Sequence, residues 1–393
     1  MKQAHSIILA GILLLKGLFL TGQPVKVGLF NSKTIQTFIF SPMLGEYTLE
    51  RGVQGSIKIK PGAAVYIALM GNKLSVRDMQ GDNLMQEIVS IIARDSDCQF
   101  SLRPAFPAME ARQYQGSCRF RADIGRIEAI NIIPEDYYLA AVVAAEGGTS
   151  ATPEFYKAQA ILCRTYLLAH FSKHETDSFN VCDEVHCQAY KGMNGRNPAI
   201  LQAVIATHGE VAVYADTILI TAAYHANCGG ETQSAENEWL QKVPYLKEVK
   251  DPWCSNAKSS YWHIEIPREK WIAYLRSNGM RLQEPSKKGT LDFKQDTRQA
   301  YYRIPGDSLA LRKIRADWNF RSSFFSVQEE KGDSLLISGK GFGHGVGMCQ
   351  TGAINMAAHG KTCEEILSFY FEGIRIRNIL DIPAGPRLAV SLK

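Results

Sequence analysis

The chain has 393 residues, of which 46% are hydrophobic, 21% charged and 10% aromatic, with a formal net charge of +5. At ~150 residues per domain that length allows two or three domains with ordinary cores, and the composition excludes a disordered, collagen-like or small disulfide-framework chain. Two of the excess lysines, Lys2 and Lys16, lie in the first twenty residues, and no basic run or aromatic RNA-binding signature follows, which argues against nucleic acid as a partner.

At the N-terminus, Met1 to His5 carries one lysine and Ile7 to Leu15 is an apolar run; Lys16 separates it from Leu18 to Leu20. A positive start and an apolar run shorter than the ~20 residues of a membrane span read as a secretory signal over residues 1–22. Lys16 and a poor small-residue cleavage site keep an uncleaved N-terminal anchor open. Either way the protein is expected in the periplasm or cell envelope, touching a membrane only through this segment.

From Val25 to about Arg126 apolar and polar residues alternate in short runs: Val25 to Leu29, Gly55 to Lys60, Ala64 to Leu69 and Cys118 to Ala122. Period-two alternation between turn residues predicts half-buried strands, hence a β-rich module. The pattern changes at Pro134. Glu135 and Asp136 open a helix that runs to Glu146 and stops at Gly147-Gly148, which places Glu146 at its C-terminal end. Thr152 and Pro153 cap a second helix through Phe171, on which Gln159, Arg164 and Thr165 point in different directions, so the helix is mostly buried. A buried Arg164 needs partners, as a structural brace or as a site residue. Residues 258–330 form a charged, mixed stretch with one helix from Pro267 to Asn278 and a loop from Glu284 to Gly289. Thr362-Cys363-Glu364-Glu365 is a capping box ahead of a helix that Gly373 ends.

Gly339 to Met348 has glycine at every second position. It fails the dinucleotide and P-loop patterns, so no nucleotide cofactor is implied. Read as an extended chain, it is a strand with one face of bare backbone, serving either close packing or a site around His344. His174, Cys182, His186 and Cys187 supply the ligand types of a tetrahedral zinc site, although not at the spacing of a standard finger. Four protein ligands would close the sphere and make one Zn2+ structural; a Cys182 to Cys187 disulfide is the alternative. Tyr224 to Thr232, continuing through Trp239 to Cys254, gathers polar and aromatic residues on a Gly-Gly turn, the composition of a glycan-gripping cleft.

Taken in order, these motifs resemble the sporulation stage II protein D family, which includes amidase-enhancer proteins. They are Asn131 with Asp136-Tyr137-Tyr138-Leu139 and Val142 to Glu146; Lys157-Ala158-Gln159-Ala160 with Arg164-Thr165-Tyr166; and Cys187-Gln188-Ala189-Tyr190 with Gly192. Next come His225 with Cys228 to Thr232, Pro244-Tyr245-Leu246, Asp251 and Arg321-Ser322, and finally Gly341 to Gln350 with Gly352-Ala353 and Tyr370 to Gly373. The resemblance implies an α+β fold: a β-rich N-terminal module over 23–113, a mixed helical and β-rich catalytic domain over 114–373, and a C-terminal tail over 374–393.

It also implies a peptidoglycan lytic transglycosylase acting on glycan strands stripped of stem peptides, with Glu146 as catalytic acid. The family tends to have Met-Pro after that glutamate, where this chain has Gly147-Gly148, which puts substrate preference in question more than chemistry. Some members bind zinc through a set placed as His174, Cys182, His186 and Cys187 are. Arg164, Tyr166, His225, Thr232, Tyr245, His344 and Gln350 are the expected glycan-binding residues.

A hydrolase uses two carboxylates, whereas a transglycosylase needs no water and can work with one. A helix C-terminus and apolar neighbours favour the protonated acid such chemistry requires. Two other classes stay open: a noncatalytic glycan-binding enhancer of a cell-wall amidase, and a conventional glycoside hydrolase using Glu231, Glu236, Glu238 or Asp251. Of the nine cysteines, Cys182 and Cys187 go to the zinc set, Cys228 is expected to pair with Cys254 and Cys98 with Cys118, and Cys163, Cys349 and Cys363 are left as buried thiols.

Overall fold

The structure, a computed structural model, describes residues 24–78, 81, 83–193, 197–254, 260–282, 289–330, 333–382 and 387–388. The expected signal or anchor over 1–22, most of the 284–289 loop and much of the C-terminal tail lie outside these residues. Among the described residues no helix is long and apolar enough to cross a membrane. The chain divides into two compact units. One is built from the chain up to Ser150 with Gln159–Val211 and Arg377–Arg387; the other is built from Ala151–Ala158, Ala212–Ile376 and the end of the chain from Leu388.

The first unit opens with strands β1 (Val25–Leu29), β2 (Thr37–Leu44), β3 (Tyr47–Glu50), β4 (Ser56–Ile59), β5 (Val65–Met70) and β6 (Lys73–Arg77). It continues with β7 (Asn83–Gln86), β8 (Ile88–Ala93), β9 (Gln99–Phe106), β10 (Arg112–Gln115), β11 (Ser117–Asp123), β12 (Arg126–Ile133) and β13 (Val181–Cys182). They form a seven-stranded sheet in the order β13-β1-β12-β11-β8-β3-β4 and a six-stranded sheet in the order β10-β9-β2-β5-β6-β7. The alternation seen in the sequence is the alternation of burial: Val65 and Ile67 are buried while Tyr66 between them is exposed. The expected boundary at 113/114 falls inside β10, whose Tyr114 pairs with Phe100 of β9, so the sheet carries straight across it.

Three helices join this unit: α1 (Glu135–Gly147), part of α2 (Pro153–Ala169) and α3 (Pro198–Ala206). α1 starts with two acids in its first turn and ends where Gly148 takes φ 75°, its N–H returning to the carbonyl of Ala144. A run of rings, Phe40, Phe100, Tyr114, Tyr190 and Tyr138, packs at centroid spacings of 4.6 to 5.9 Å and ties the sheet to α1.

The second unit contains helices α4 (Ala235–Trp239), α5 (Arg268–Ser277), α6 (Leu311–Trp318), α7 (Gln350–Ala358) and α8 (Cys363–Tyr370). Strands Tyr261–Pro267, Ser334–Lys340 and Phe325–Glu329 form an antiparallel sheet, and Tyr301–Ile304 pairs with Asp307–Ala310. The charged stretch from 258 to 330 therefore holds a core of its own, with Trp271, Leu275, Tyr302, Leu311 and Ile314 fully buried. The capping box at Thr362 and Glu365 is present in full.

Two expectations are corrected. The glycine-rich run is not an extended strand: the strand ends at Lys340, and Gly341, Gly343, Gly345 and Gly347 have φ of 85°, 110°, 84° and 72°. Alternating glycine here supplies left-handed backbone, and a Cβ on Gly345 would sit 2.9 Å from the Arg298 guanidinium. All nine cysteines are free thiols, so the pairings Cys228 with Cys254, Cys98 with Cys118, and Cys182 with Cys187 are not formed.

Candidate active site

Glu146 lies in the last turn of α1, half-buried, just before the left-handed Gly148. The backbone N–H of Ala189 donates to its Oε1 at 2.7 Å. That bond holds the carboxylate in one orientation.

Ala189 is itself fixed by its neighbour. Tyr190 is fully buried between Tyr114 and Tyr138, and its hydroxyl donates to Asn131 Oδ1 at 2.6 Å. Asn131 in turn donates to the carbonyls of Gln115 and Ser117. Gly192, at φ 84°, lets the chain pass against the Gln113 carbonyl where a Cβ would collide. Upstream, buried Asp183 accepts from the N–H of Phe30 and from Arg112. The segment 183–192 is thus pinned at both ends, which sets the position of the Ala189 N–H.

Two members of the Cys and His set, His186 and Cys187, lie within this pinned segment. The ligand atoms of His174, Cys182, His186 and Cys187 all lie within 4.8 Å of one another. Cys187 Sγ is 3.4 Å from His174 Nε2, and Cys182 Sγ is 3.7 Å from His186 Nδ1. His174 Nδ1 meets Asp177 Oδ2 at 2.8 Å, the outer contact that fixes an imidazole with Nε2 available to a metal. A hydrogen bond from Cys187, with further donors from the Glu184 backbone and His186, lowers the Cys182 thiol below its ordinary range. Two sulfurs, two imidazoles and that outer carboxylate fit a closed tetrahedral zinc site.

Tyr166 stacks on His170 at 4.1 Å, and its hydroxyl reaches the carbonyl of His186. Burial first, then the charges of Cys187, Cys182 and Glu146, raises its pKa, so the phenol stays protonated beside them. Arg164, by contrast, is fully buried and committed. Its Nε donates to Glu135 at 2.9 Å, at the opposite end of α1 from Glu146, and its other nitrogens donate to the carbonyls of Thr207, Val204 and Glu210. It braces α1 against the end of α3.

The other expected glycan-binding residues belong to the second unit. His344 accepts from the Val346 N–H at Nδ1 and meets the Tyr224 carbonyl at Nε2; burial first, then Arg315, lowers its pKa to about 4. His225 Nδ1 meets the Val346 carbonyl at 3.1 Å, and its buried Nε2 has no hydrogen-bond partner among the described residues. Thr232 Oγ1 accepts from the Val249 N–H, and the Tyr245 hydroxyl accepts from the Thr221 N–H, so both serve the fold of this unit. Gln350 is the first residue of α7 and buried.

Several contributors carry no sequence signal of their own. Ala189 acts only through its backbone. Arg298, buried in the second unit, bonds the carbonyls of Glu231 and Cys228 and gives its N–H to Glu231, yet reads in sequence as one charge among many. Asp177, three residues after His174, was findable from the rule that ligating imidazoles have a carboxylate or carbonyl partner.

The stage II sporulation protein family model matches residues 123–214, which contain Glu146, the Cys and His set and Ala189. An uncharacterized protein of Brachyspira hyodysenteriae is 32% identical over 268 residues, covering 67% of this chain and 72% of its own. Stage II sporulation protein D of Bacillus subtilis is 31% identical over 265 residues, covering 63% of this chain and 76% of its own. The amidase enhancer of Bacillus subtilis is 28% identical over 287 residues, with only 39% of its own length covered. On the match to residues 123–214 and the extent of these likenesses, the chain belongs to the stage II sporulation protein D family.

Proposed function

We propose that the chain is a peptidoglycan lytic transglycosylase that cleaves the bond between N-acetylmuramic acid and N-acetylglucosamine in stem-peptide-stripped glycan, with Glu146 as acid and base. The observation that carries the reading is Glu146 held through Oε1 by the Ala189 N–H at the end of α1. With Oε1 so engaged, the proton is assigned to Oε2. It passes to the glycosidic oxygen as the C1–O bond breaks and positive charge develops on the muramyl ring. The Glu146 carboxylate then takes the proton of the muramyl C6 hydroxyl while O6 closes on C1. A 1,6-anhydro ring forms, no water is consumed, and the acid is restored.

The Cys and His set is assigned one structural zinc. Bound there, the metal would fix Cys187, two residues before Ala189, and so stiffen the clamp on the acid. The conventional hydrolase reading draws little support, because three of its four proposed second carboxylates are occupied, Asp251 by Tyr370 and Cys228, Glu231 by Arg298 and Glu238 by Arg315, while Glu236 is exposed. The relative named amidase enhancer favours a second role, in which the chain also binds glycan for a cell-wall amidase. Export to the cell envelope belongs to the same proposal, since that is where the glycan lies.

The test is digestion of stem-peptide-free glycan by purified protein and by Glu146→Gln. Anhydromuramyl ends that fall by about 10²- to 10⁴-fold in the variant support the reading, as expected for loss of a general acid. Binding without cleavage by the unaltered protein leaves the enhancer role alone.

A further inference from the structure

A second cluster of soft ligands lies wholly within the second unit, and the proposed reaction makes no use of it. Cys228, Asp251, Cys254 and Cys349 are all buried, and one ligand atom from each lies within 4.8 Å of the others. They come from three separate segments: the start of the Gly229-Gly230 turn, the Asp251-Pro252-Trp253-Cys254 run, and the residue that caps α7. We propose that these four residues form a second, structural metal site for a zinc-class divalent ion.

The spacing fits such an ion. Tetrahedral coordination at ~2.3 Å for Zn–S and ~2.0 Å for Zn–O puts neighbouring ligand atoms roughly 3.5 to 3.8 Å apart. Cys228 Sγ and Asp251 Oδ2 are 3.2 Å apart, so a small outward shift would admit the ion. A disulfide would use two of the three sulfurs and leave the third, with a buried carboxylate, beside it. A metal uses all four donors.

The surroundings are those of metal-bound thiolates. The N–H groups of Cys228 and Gly352 donate to Cys349 Sγ at 3.2 and 3.4 Å, and those of Gly229 and Gly230 bond Cys254. Asp251 has an outer shell of its own: the Tyr370 hydroxyl on Oδ2 at 2.8 Å and the Trp253 N–H on Oδ1 at 3.0 Å. Gly352 makes room for this arrangement, since a Cβ there would collide with both the Tyr370 hydroxyl and the Asp251 carboxylate. Three thiolates and a carboxylate around a divalent ion leave a charge of about −2, and the Arg298 guanidinium, 2.8 Å from the Cys228 carbonyl, offsets part of it. Binding would displace thiol protons to solvent and tie the Gly-Gly turn to α7 and to Tyr370 of α8.

The test uses the full chain in a Cys187→Ser background, which disables the first metal set, and compares it with Cys187→Ser/Cys254→Ser by elemental analysis. The expected result is about one zinc per chain in the first and less than about 0.2 in the second. If the double variant does not fold, mass-mapped alkylation of the Cys187→Ser protein decides. Cys228, Cys254 and Cys349 should resist alkylation with zinc bound and react after chelation, and cobalt(II) loading should give thiolate charge-transfer absorption. Metal-free Cys187→Ser protein, alkylation indifferent to the chelator, or a denatured thiol count short by two overturns the proposal, the last in favour of a disulfide. None of these outcomes depends on glycan cleavage.

Discussion

The backbone N–H of Ala189 donates to Glu146 Oε1 at 2.7 Å, so a main-chain group forty-three residues downstream orients the proposed acid. Because that donor has no side chain of its own to remove, its role is tested through what holds it. Tyr190→Phe deletes the 2.6 Å bond to Asn131 and leaves a buried Oδ1 without this donor. The expected cost is about 1–3 kcal/mol of stability. Urea unfolding measures it, and kcat should fall with KM little changed, because the clamp acts on the acid.

Arg164 separates bracing from chemistry. Arg164→Met leaves Glu135 and the last carbonyls of α3 without their buried partner, and about 3–5 kcal/mol of stability should be lost. Chemical denaturation is the readout. Turnover per folded molecule, measured well below the melting temperature, should stay within about threefold of the parent, since the guanidinium touches the far end of α1.

The first Cys and His set predicts a linked loss. Chelation, or Cys187→Ser, should lower thermal stability and glycan cleavage together, and added zinc should restore both after chelation but neither in the variant. Differential scanning calorimetry and product counting on the same samples check it. Loss of stability with unchanged cleavage would separate the metal from the clamp.

The histidines of the second unit set an acid limit on stability. His344 has its pKa lowered to about 4 by burial and Arg315, below the ~6.5 of an unfolded imidazole. The unfolded chain therefore takes up the proton first, so the stabilisation is complete above about pH 6.5 and is lost as pH falls towards 4. Since the ring is only half-buried, the contribution is on the order of 1–2 kcal/mol after allowance for solvent screening. Urea melts at pH 7 and pH 5 should show a smaller pH effect in His344→Gln than in the parent.

Much of the first unit was legible because local signals and tertiary demands agree there. The alternation from Val25 to Ala122 became strands, and the acids at Glu135 with the Gly147-Gly148 stop became α1; in the second unit Thr362 formed its capping box. The glycine-rich run was misread because a period of two cannot tell an extended chain from alternating left-handed residues, which depend on long-range neighbours such as Arg298. Arg164 could be recognised as buried and in need of partners, but brace and site residue could not be told apart, since besides Glu135 its partners are carbonyls, which no sequence displays. Cys349 looked like a spare thiol because its companions, Cys228 and Cys254, lie far away along the chain.

The central claim is that one glutamate closes the muramyl C6 hydroxyl onto C1 without water. Digesting stem-peptide-free glycan in 18O-enriched water and weighing the new muramyl ends tests it most directly. The account predicts anhydromuramyl ends free of solvent 18O, formed by the parent protein and lost in Glu146→Gln; reducing ends carrying 18O would contradict it.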